Sequence, residues 1–255
     1  MQLMKLSVTI ITLNEQHNIA RAIKSVSFAD EVIVVDSGSH DETCTIAEQL
    51  GAKVFQRKFD GYGQQKNYAA RQAKGYWIFN LDADEEVSPE LAHQLKNWVE
   101  QKTPQIAMVN RLTQFCGKWI HHGGWSPDWV ARVYPNQSAH FTEPQVHEKV
   151  VGKDASLPLV QLEGRLLHYS FPTVSSQVQT NVKYAGLGAT ALQERKKSRS
   201  LFQLVTRPWV KFLECYVWKR GFLDGQAGFI IAVNAAHSQF MKYAIARTSS
   251  KGPEE

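Results

Sequence analysis

Little in this sequence ties the chain to an oxidising compartment, a membrane span or a dinucleotide cofactor. Three cysteines, Cys44, Cys116 and Cys215, are scattered over 255 residues, with no CxxC pair among them. An odd number at such spacings argues against a disulfide framework and a thiolate zinc cluster, and fits free thiols in a reducing compartment. No apolar run reaches the roughly 18 residues that a spanning helix needs. The first apolar segment, Leu6–Leu13, is only as long as a strand. Asn14-Glu15 follow it at once, with no small-residue cleavage site, so it does not read as a secretory signal. These absences lead to the expectation of a cytoplasmic protein. No GxGxxG follows the first strand pattern and no Walker A sequence occurs, which argues against a dinucleotide dehydrogenase and a P-loop kinase. Internal repeats and low-complexity segments are lacking too.

What is present describes an ordinary globular chain with a sizeable core: 43% of residues are apolar and 21% charged. The first hundred residues alternate strand and helix signals. Leu6–Leu13 is rich in β-branched residues. Glu31–Asp36 (EVIVVD) and Tyr76–Leu81 (YWIFNL) are near-continuous apolar runs of the kind buried on both faces of a sheet. Between them, Asn18–Val26, Asp41–Leu50 (stopped by Gly51) and Gln64–Ala73 have helical spacing, and Lys53–Gln56 is a short strand. Ser88-Pro89-Glu90 starts another helix, with Ser as N-cap, Pro in the first turn and an acid beside it. Such alternation with short connections predicts an α/β fold: a mostly parallel, Rossmann-like sheet with helices on both faces. Ligands bind at the carboxyl ends of such strands, so the residues just past each strand carry the interest.

From Ile106 to Ser170 the texture changes to short apolar runs rich in Gly, Pro, His and aromatic residues, as expected of mixed strands and long loops around an acceptor site. From Thr173 onward the pattern is helical, over Val174–Arg195, Leu201–Trp218 and Gln226–Ala246. The expected division is a sheet domain over 1–172, with a strand–helix half to about residue 100 and an acceptor half over 101–172. A helical region over 173–248 and a disordered tail over 249–255 follow.

The formal net charge is +5, and much of the excess lies between Glu194 and Arg220, where eight basic residues face two acids. Such a patch can meet nucleic acid, anionic lipid or a phosphorylated substrate, or be a solvated helix face. The last two helices interleave Lys and Arg with Phe202, Leu204, Val205, Trp209, Phe212, Leu213, Tyr216 and Trp218. Two readings are open for them, an interfacial helix on an anionic membrane or docking onto the catalytic domain.

The chemistry concentrates at the strand ends. Asp82-Ala83-Asp84 follows a buried strand and precedes a capped helix. Two carboxylates spaced i, i+2 can reach one divalent cation, and oxygen ligands suit Mg²⁺ or Mn²⁺. Such a cation stabilises a departing diphosphate. Helix N-terminal charge explains the same acids in structural terms. Asp36, followed by Ser37-Gly38-Ser39, can accept from a base or ribose hydroxyl, or can hold a turn. Lys66, near a helix start, can face a diphosphate. Glu148 and Asp128 are rival carboxylates for general-base work. Trp125, among His and Gly residues, suits the C–H face of an acceptor sugar, and packing is the alternative.

Taken together, IITLNE (Ile10–Glu15), VVDSGSHDET (Val34–Thr43), QQKNYA (Gln64–Ala69) and LDADEEVSPEL (Leu81–Leu91) resemble family 2 glycosyltransferases of the GT-A fold. More narrowly they resemble the lipopolysaccharide inner-core β-glucosyltransferase branch, in which HGGWxPD, RxY, VHE and LLHY follow the DxD motif. Here those are His122–Asp128, Arg132–Tyr134, Val146–Glu148 and Leu166–Tyr169, and the likeness extends to GFLDG at Gly221–Gly225. The resemblance implies that Thr12, Asn14, Glu15, Asp36, Ser37 and Gly38 line the nucleoside side of a nucleotide-sugar site. Lys66, Asn67, Asp82 and Ala83 would complete it. Asp84 would be the stronger metal ligand, with Asp82 and His168 beside it. Glu148 stands where the family carries its base, although His147-Glu148 departs from the usual Glu-Asp there. Trp125, Asp128, Arg132 and His147 would meet the acceptor.

The expected activity is metal-dependent, inverting transfer of a hexose from a UDP-sugar, UDP-glucose by resemblance, to a heptose of a lipid-linked inner-core acceptor. Peripheral contact with the cytoplasmic face of the inner membrane goes with it. Another donor or acceptor in envelope polysaccharide synthesis, or a non-catalytic nucleotide-sugar binder, is the alternative. A nucleotidyltransferase would carry a Gly-rich basic loop where Thr12-Leu13-Asn14-Glu15 stand. Acidic strand ends do not suit a nucleic-acid backbone.

Overall fold

The computed structural model describes residues 5–101, 103–143, 148–153, 157–194 and 200–248. The chain divides into two compact units, Met1–Arg111 with Asp128–His168, and Leu112–Pro127 with Tyr169–Glu255. Residues 112–127, expected within the acceptor half, thus group with the helical stretch.

In the first unit the apolar runs become β1 (Leu6–Thr12), β2 (Glu31–Asp36), β3 (Lys53–Gln56) and β4 (Trp77–Asp82). They are parallel in the order β3-β2-β1-β4, as the strand–helix alternation requires. The connecting helices are α1 (Ile19–Ser25), α2 (Thr43–Gln49) and α3 (Tyr62–Gln72). Ser88 caps α4 (Pro89–Trp98), its side chain accepting from the Leu91 amide with Pro89 in the first turn. The register sets Thr12 opposite Asp36 and Ile11 opposite Asp82, so the polar residues at the carboxyl ends converge.

The outer half of this sheet is built mainly from three longer strands, where mixed strands and long loops are expected. β6 (Ile106–Phe115) and β11 (Leu159–Phe171) are 10 and 13 residues long. β8 (Asp128–Pro135) lies antiparallel between β4 and β6. A three-residue strand, β5 (Glu85–Val87), pairs antiparallel with β11 and sets His168 opposite Glu85. The two-residue β7 (Lys118–Trp119) pairs with the end of β6. A separate hairpin, β9 (Ala139–Phe141) with β10 (Val150–Gly152), stands beside α3. Gly63 makes that approach feasible, because a Cβ there would lie 2.2 Å from the Thr142 carbonyl oxygen.

The main core joins Val8, Ile10, Trp77, Phe79, Leu91, Leu95 and Leu166, with Trp77 and Trp98 rings 4.3 Å apart. The second unit holds α5 (Val174–Glu194), α6 (Leu201–Leu213) and α7 (Gly225–Thr248), with α7 packed on both others. Where a helix through Trp218 is expected, α6 ends at Leu213 and a π-helical turn, Glu214–Trp218, follows. Residues 195–199, which carry half of the basic run, and the tail 249–255 lie outside the described residues.

At the amino end of β2, Glu31 ties three segments together. Its carboxylate accepts from Ser7 Oγ at 2.6 Å, Lys53 Nζ at 2.7 Å and the Lys74 amide at 2.6 Å. Burial alone would raise its pKa, but these donors outweigh burial and hold it below the ordinary glutamate value. A depressed carboxylate stabilises the fold above its unfolded pKa, and the contribution is lost as pH falls through the folded value. Glu31→Gln is therefore expected to cost about 2 kcal/mol near neutral pH in urea unfolding. The gap between parent and variant should close as the solution is acidified below the glutamate range. A gap constant with pH would show that the carboxylate charge is not what holds these segments.

Candidate active site

The polar strand ends of the first unit form a linked row of opposite charges. Arg132, on β8, is 4% exposed. It donates to Asn80 Oδ1 at 3.0 Å, to Asp82 Oδ2 at 2.6 Å and to Glu85 Oε1 at 2.5 Å. Asp82 also faces Lys66 Nζ at 3.4 Å, and Lys66 donates to Glu148 Oε1 at 2.9 Å. On the other side Arg111 reaches Glu85 at 3.6 Å and grips Asp128 through Nε at 2.9 Å and a terminal nitrogen at 2.8 Å. The order is Glu148, Lys66, Asp82, Arg132, Glu85, Arg111, Asp128, with carboxylates at both ends.

Local structure explains each placement. Pairing of β8 with β4 runs Arg132 in beside Asn80. Glu85 turns back to accept from the Asp82 amide at 2.9 Å, which closes the Asp82–Glu85 bend. Asn67 clasps Phe141, its side chain donating to the carbonyl at 2.8 Å and accepting from the amide at 2.9 Å. That clasp fixes α3 on β9. With Thr142 and Lys149 bridging the hairpin, it brings Lys66 to Glu148. Lys66 also lies 5.1 Å from the centroid of the Phe141 ring.

The electrostatics follow from burial and charge. Burial would raise Asp82, but the Arg132 and Lys66 charges hold its carboxyl far below the ordinary range. Glu85 is pushed up by burial and by the neighbouring Asp82 charge. Burial also raises Glu15, with the Asp84 and Asp41 charges adding to it, so the ends of β1 and β4 sense each other.

The expected metal set of Asp82, Asp84 and His168 comes apart. His168 Nε2 lies 3.2 Å from Asp84 Oδ2, because the β5–β11 pairing carries it there. Asp82 is held instead by Arg132 and Lys66. Among the described residues no three acidic, His or Cys side chains close on one point. One carboxylate oxygen beside one imidazole nitrogen still suits Mn²⁺ or Mg²⁺, which keep several waters and take substrate phosphates as further ligands.

At the ends of β1 and β2, Asp36 is fully buried and holds its own loop. It accepts from the Gly38 amide at 2.9 Å, the Ser39 amide at 2.8 Å and Ser39 Oγ at 2.5 Å. This is the turn-holding role, and Gly38 supplies its positive φ of 100°. Asn14, at φ 55°, and Glu15 are placed by the hydroxyls of Ser39 and Thr43 through their amides. Ser37 Oγ accepts from Gln65 at 3.1 Å. The Thr12 hydroxyl is buried without a hydrogen-bond partner among the described residues. Ala83 is buried between the two aspartates.

Three residues expected at ligands are engaged by the protein itself. Asn67, expected at the nucleotide sugar, has its amide engaged with Phe141. Arg132, expected at the acceptor, is a buried counter-ion. Trp125, also expected at the acceptor, belongs to the second unit and packs on Phe115 and Phe171 at centroid distances of 5.9 and 5.3 Å. An indole among apolar neighbours satisfies the packing reading. His147 lies outside the described residues. Asp128, the rival base, is gripped by Arg111 in two-pronged fashion, whereas Glu148 has a single lysine contact. Sequence reasoning missed Glu85, Arg111 and Asn80. Glu85 stands in the acidic run after Asp84, but nothing in the spacing signals Arg111.

A family profile described as glycosyl transferase family 2 matches residues 7–150. An uncharacterized glycosyltransferase of Rickettsia felis is 33% identical over 258 residues, covering 96% of this chain and 90% of that one. The lipopolysaccharide core biosynthesis glycosyltransferase LpsC of Rhizobium meliloti is 25% identical over 94% of this chain and 93% of its own. Among solved structures, residues 1–349 of S. aureus TarS align at TM-score 0.48 and 16% identity, over 96% of this chain and 92% of that one.

The row of charges makes one energetic demand. Removing Arg132 leaves Asp82 and Glu85 without their shared counter-ion in a desolvated place. Arg132→Ala is expected to lose roughly 3–5 kcal/mol in urea unfolding. Stability equal to the parent would show that the row does not hold the strand ends.

Proposed function

We propose, from the premise that the chain belongs to glycosyl transferase family 2, that this glycosyltransferase moves a hexose from a UDP-sugar, glucose first, to a heptose of the lipopolysaccharide inner core. The similarity to LpsC, a core-biosynthesis enzyme, supports the acceptor class. The motifs from Ile10–Glu15 to Leu166–Tyr169 support the inner-core glucosyltransferase branch. The reading rests above all on one observation: Lys66 touches both Glu148 and Asp82 at the strand ends.

In this reading Thr12, Asn14, Glu15 and the loop held by Asp36 form the nucleoside side. Lys66 gives its charge to the departing diphosphate and holds Glu148 in place before the acceptor arrives. Glu148 takes the proton from the attacking hydroxyl, and a single displacement inverts the anomeric centre. Asp84 and His168 would hold a divalent cation, which supplies Lewis-acid stabilisation of the leaving diphosphate. Arg132 keeps Asp82 and Glu85 in place. Asp128, committed to Arg111, is the weaker base.

The membrane part of the reading rests on α6. Leu201, Phe202, Val205, Trp209 and Leu213 are 60, 75, 56, 68 and 43% exposed, with Arg207 and Lys211 on the same helix. Apolar side chains interleaved with bases complement an anionic lipid surface. No helix among the described residues is long and apolar enough to cross a membrane, so the contact would be peripheral, at the cytoplasmic face of the inner membrane.

Two experiments test this. Glu148→Gln should bind UDP-glucose in Mn²⁺ as the parent does by calorimetry, while transfer to a core glycolipid falls about 10²–10⁴-fold. Unchanged turnover would move the base to Asp128, and parental turnover in EDTA would remove the cation from the scheme. Phe202→Ser with Trp209→Ser should lower co-sedimentation with phosphatidylglycerol vesicles without lowering thermal stability. A lower melting temperature with unchanged vesicle binding would mean that α6 serves packing instead.

A further inference from the structure

Two motifs have no role in the scheme above: His121-His122-Gly123-Gly124 and Gly221-Phe222-Leu223-Asp224-Gly225. About a hundred residues apart, they meet in the second unit. Asp224 is 3% exposed. Its carboxylate accepts from the His122 amide at 2.8 Å and the His121 amide at 3.3 Å, and lies 3.1 Å from His122 Nδ1. Its carbonyl accepts from Lys118 Nζ at 2.6 Å. The Gly123 amide donates to the Lys219 carbonyl at 2.8 Å. Close backbone approaches make the junction rigid, since a Cβ on Gly228 would sit 1.8 Å from the Gly221 carbonyl oxygen.

This junction borders an open cleft of about 380 Å³, with His121, His122, Trp218, Lys219 and Arg220 in its walls. Its side chains are basic. Asp224 is turned inward to the two histidine amides and the His122 ring. Lys219 shares its charge with Glu214 at 2.7 Å. Arg220 has no ion pair, and the His121 ring no hydrogen-bond partner, among the described residues. Arg220 is held in the left-handed region at φ 58°. Trp218 is 68% exposed and presents an indole to solvent. Because Asp224 takes Nδ1 of His122, the opposite ring nitrogen is the one available to a ligand.

We infer that this pocket binds a phosphate ester, carried by a saccharide, with Arg220 and the histidines on the phosphate and Trp218 against the sugar. A guanidinium fork matches phosphate oxygens bidentately, and an aromatic face suits sugar C–H groups. The volume lies in the range of small-molecule sites. A lipid headgroup carries the same phosphate chemistry, so two soluble probes separate the sources: glucose-6-phosphate, and glycerophosphoglycerol, a headgroup without acyl chains. Glucose is the control.

The full-length protein, without nucleotide sugar, is titrated calorimetrically with each probe. Glucose-6-phosphate is expected to bind and glucose not. Arg220→Gln and His121→Gln, both on the surface, should each weaken binding about tenfold or more. Headgroup binding in place of hexose phosphate, lost in the same variants, would support the phosphate site and reassign its source. Binding of neither probe, or binding that both variants leave intact, overturns the inference. UDP-glucose titrated into the same samples reports on the donor site separately, so failure here is distinct from failure of the transfer reading.

Discussion

A guanidinium buried to the extent of Arg132 forfeits several kcal/mol of hydration, and only close carboxylates offset that cost. Asp82 and Glu85 do so, and their presence dictates the rest of the active half. Asp82 must lie at the end of β4 and Glu85 in the bend after it, and β8 must run beside β4 to bring Arg132 in. With Glu85 fixed, β5 has its place, and its pairing with β11 delivers His168 to Asp84. The candidate cation ligands are therefore positioned by an ion pair that includes neither of them. Of the two aspartates after β4, Asp82 is tied to Arg132 and Lys66, and Asp84 lies beside His168.

The sheet separates two kinds of polar group by strand end. At the amino ends, Glu31 is satisfied by a hydroxyl, an ammonium and an amide, all from the protein. At the carboxyl ends several groups keep capacity to spare. The Thr12 hydroxyl is buried and unpartnered among the described residues, Glu15 is pushed up by burial and neighbouring acids, and Lys66 is shared between two carboxylates. Buried polar groups are ordinarily satisfied, and at these strand ends the Thr12 hydroxyl departs from that rule.

What could be read from the sequence follows from the range of the forces involved. β1, β2 and β4 announce themselves as buried apolar runs, and Ser88-Pro89-Glu90 marks α4, because periodicity and capping are local. The parallel direction of these strands followed from the strand–helix alternation. β5 could not be seen, since Glu85-Glu86-Val87 is three residues long, charged, and a strand only because β11 lies beside it. Asp82 and Arg132 are 50 residues apart, and no local signal says that their side chains meet. Asn67, beside a lysine, reads as a ligand contact, and the Phe141 backbone that its amide engages is distant in sequence. Trp125 sits in a polar-looking stretch, yet Phe115 and Phe171, both distant in sequence, claim it.

The two carboxylates at the ends of the charge row are alike in chemistry and differ in what holds them. Arg111 meets Asp128 with two nitrogens of a rigid, permanently charged fork, a geometry that fixes orientation. Lys66 meets Glu148 with one contact from a flexible stem and has Asp82 as a second partner. An ammonium between two acids can lean toward an incoming diphosphate without leaving either acid buried and alone, because Asp82 keeps Arg132 and Glu148 is partly solvated. Asp128 has no such freedom, since its cation also serves buried Glu85. A base must hold a proton for part of the reaction and then release it. The carboxylate with the movable counter-ion meets that requirement better, which is the physical ground for placing Glu148, and not Asp128, opposite the leaving group.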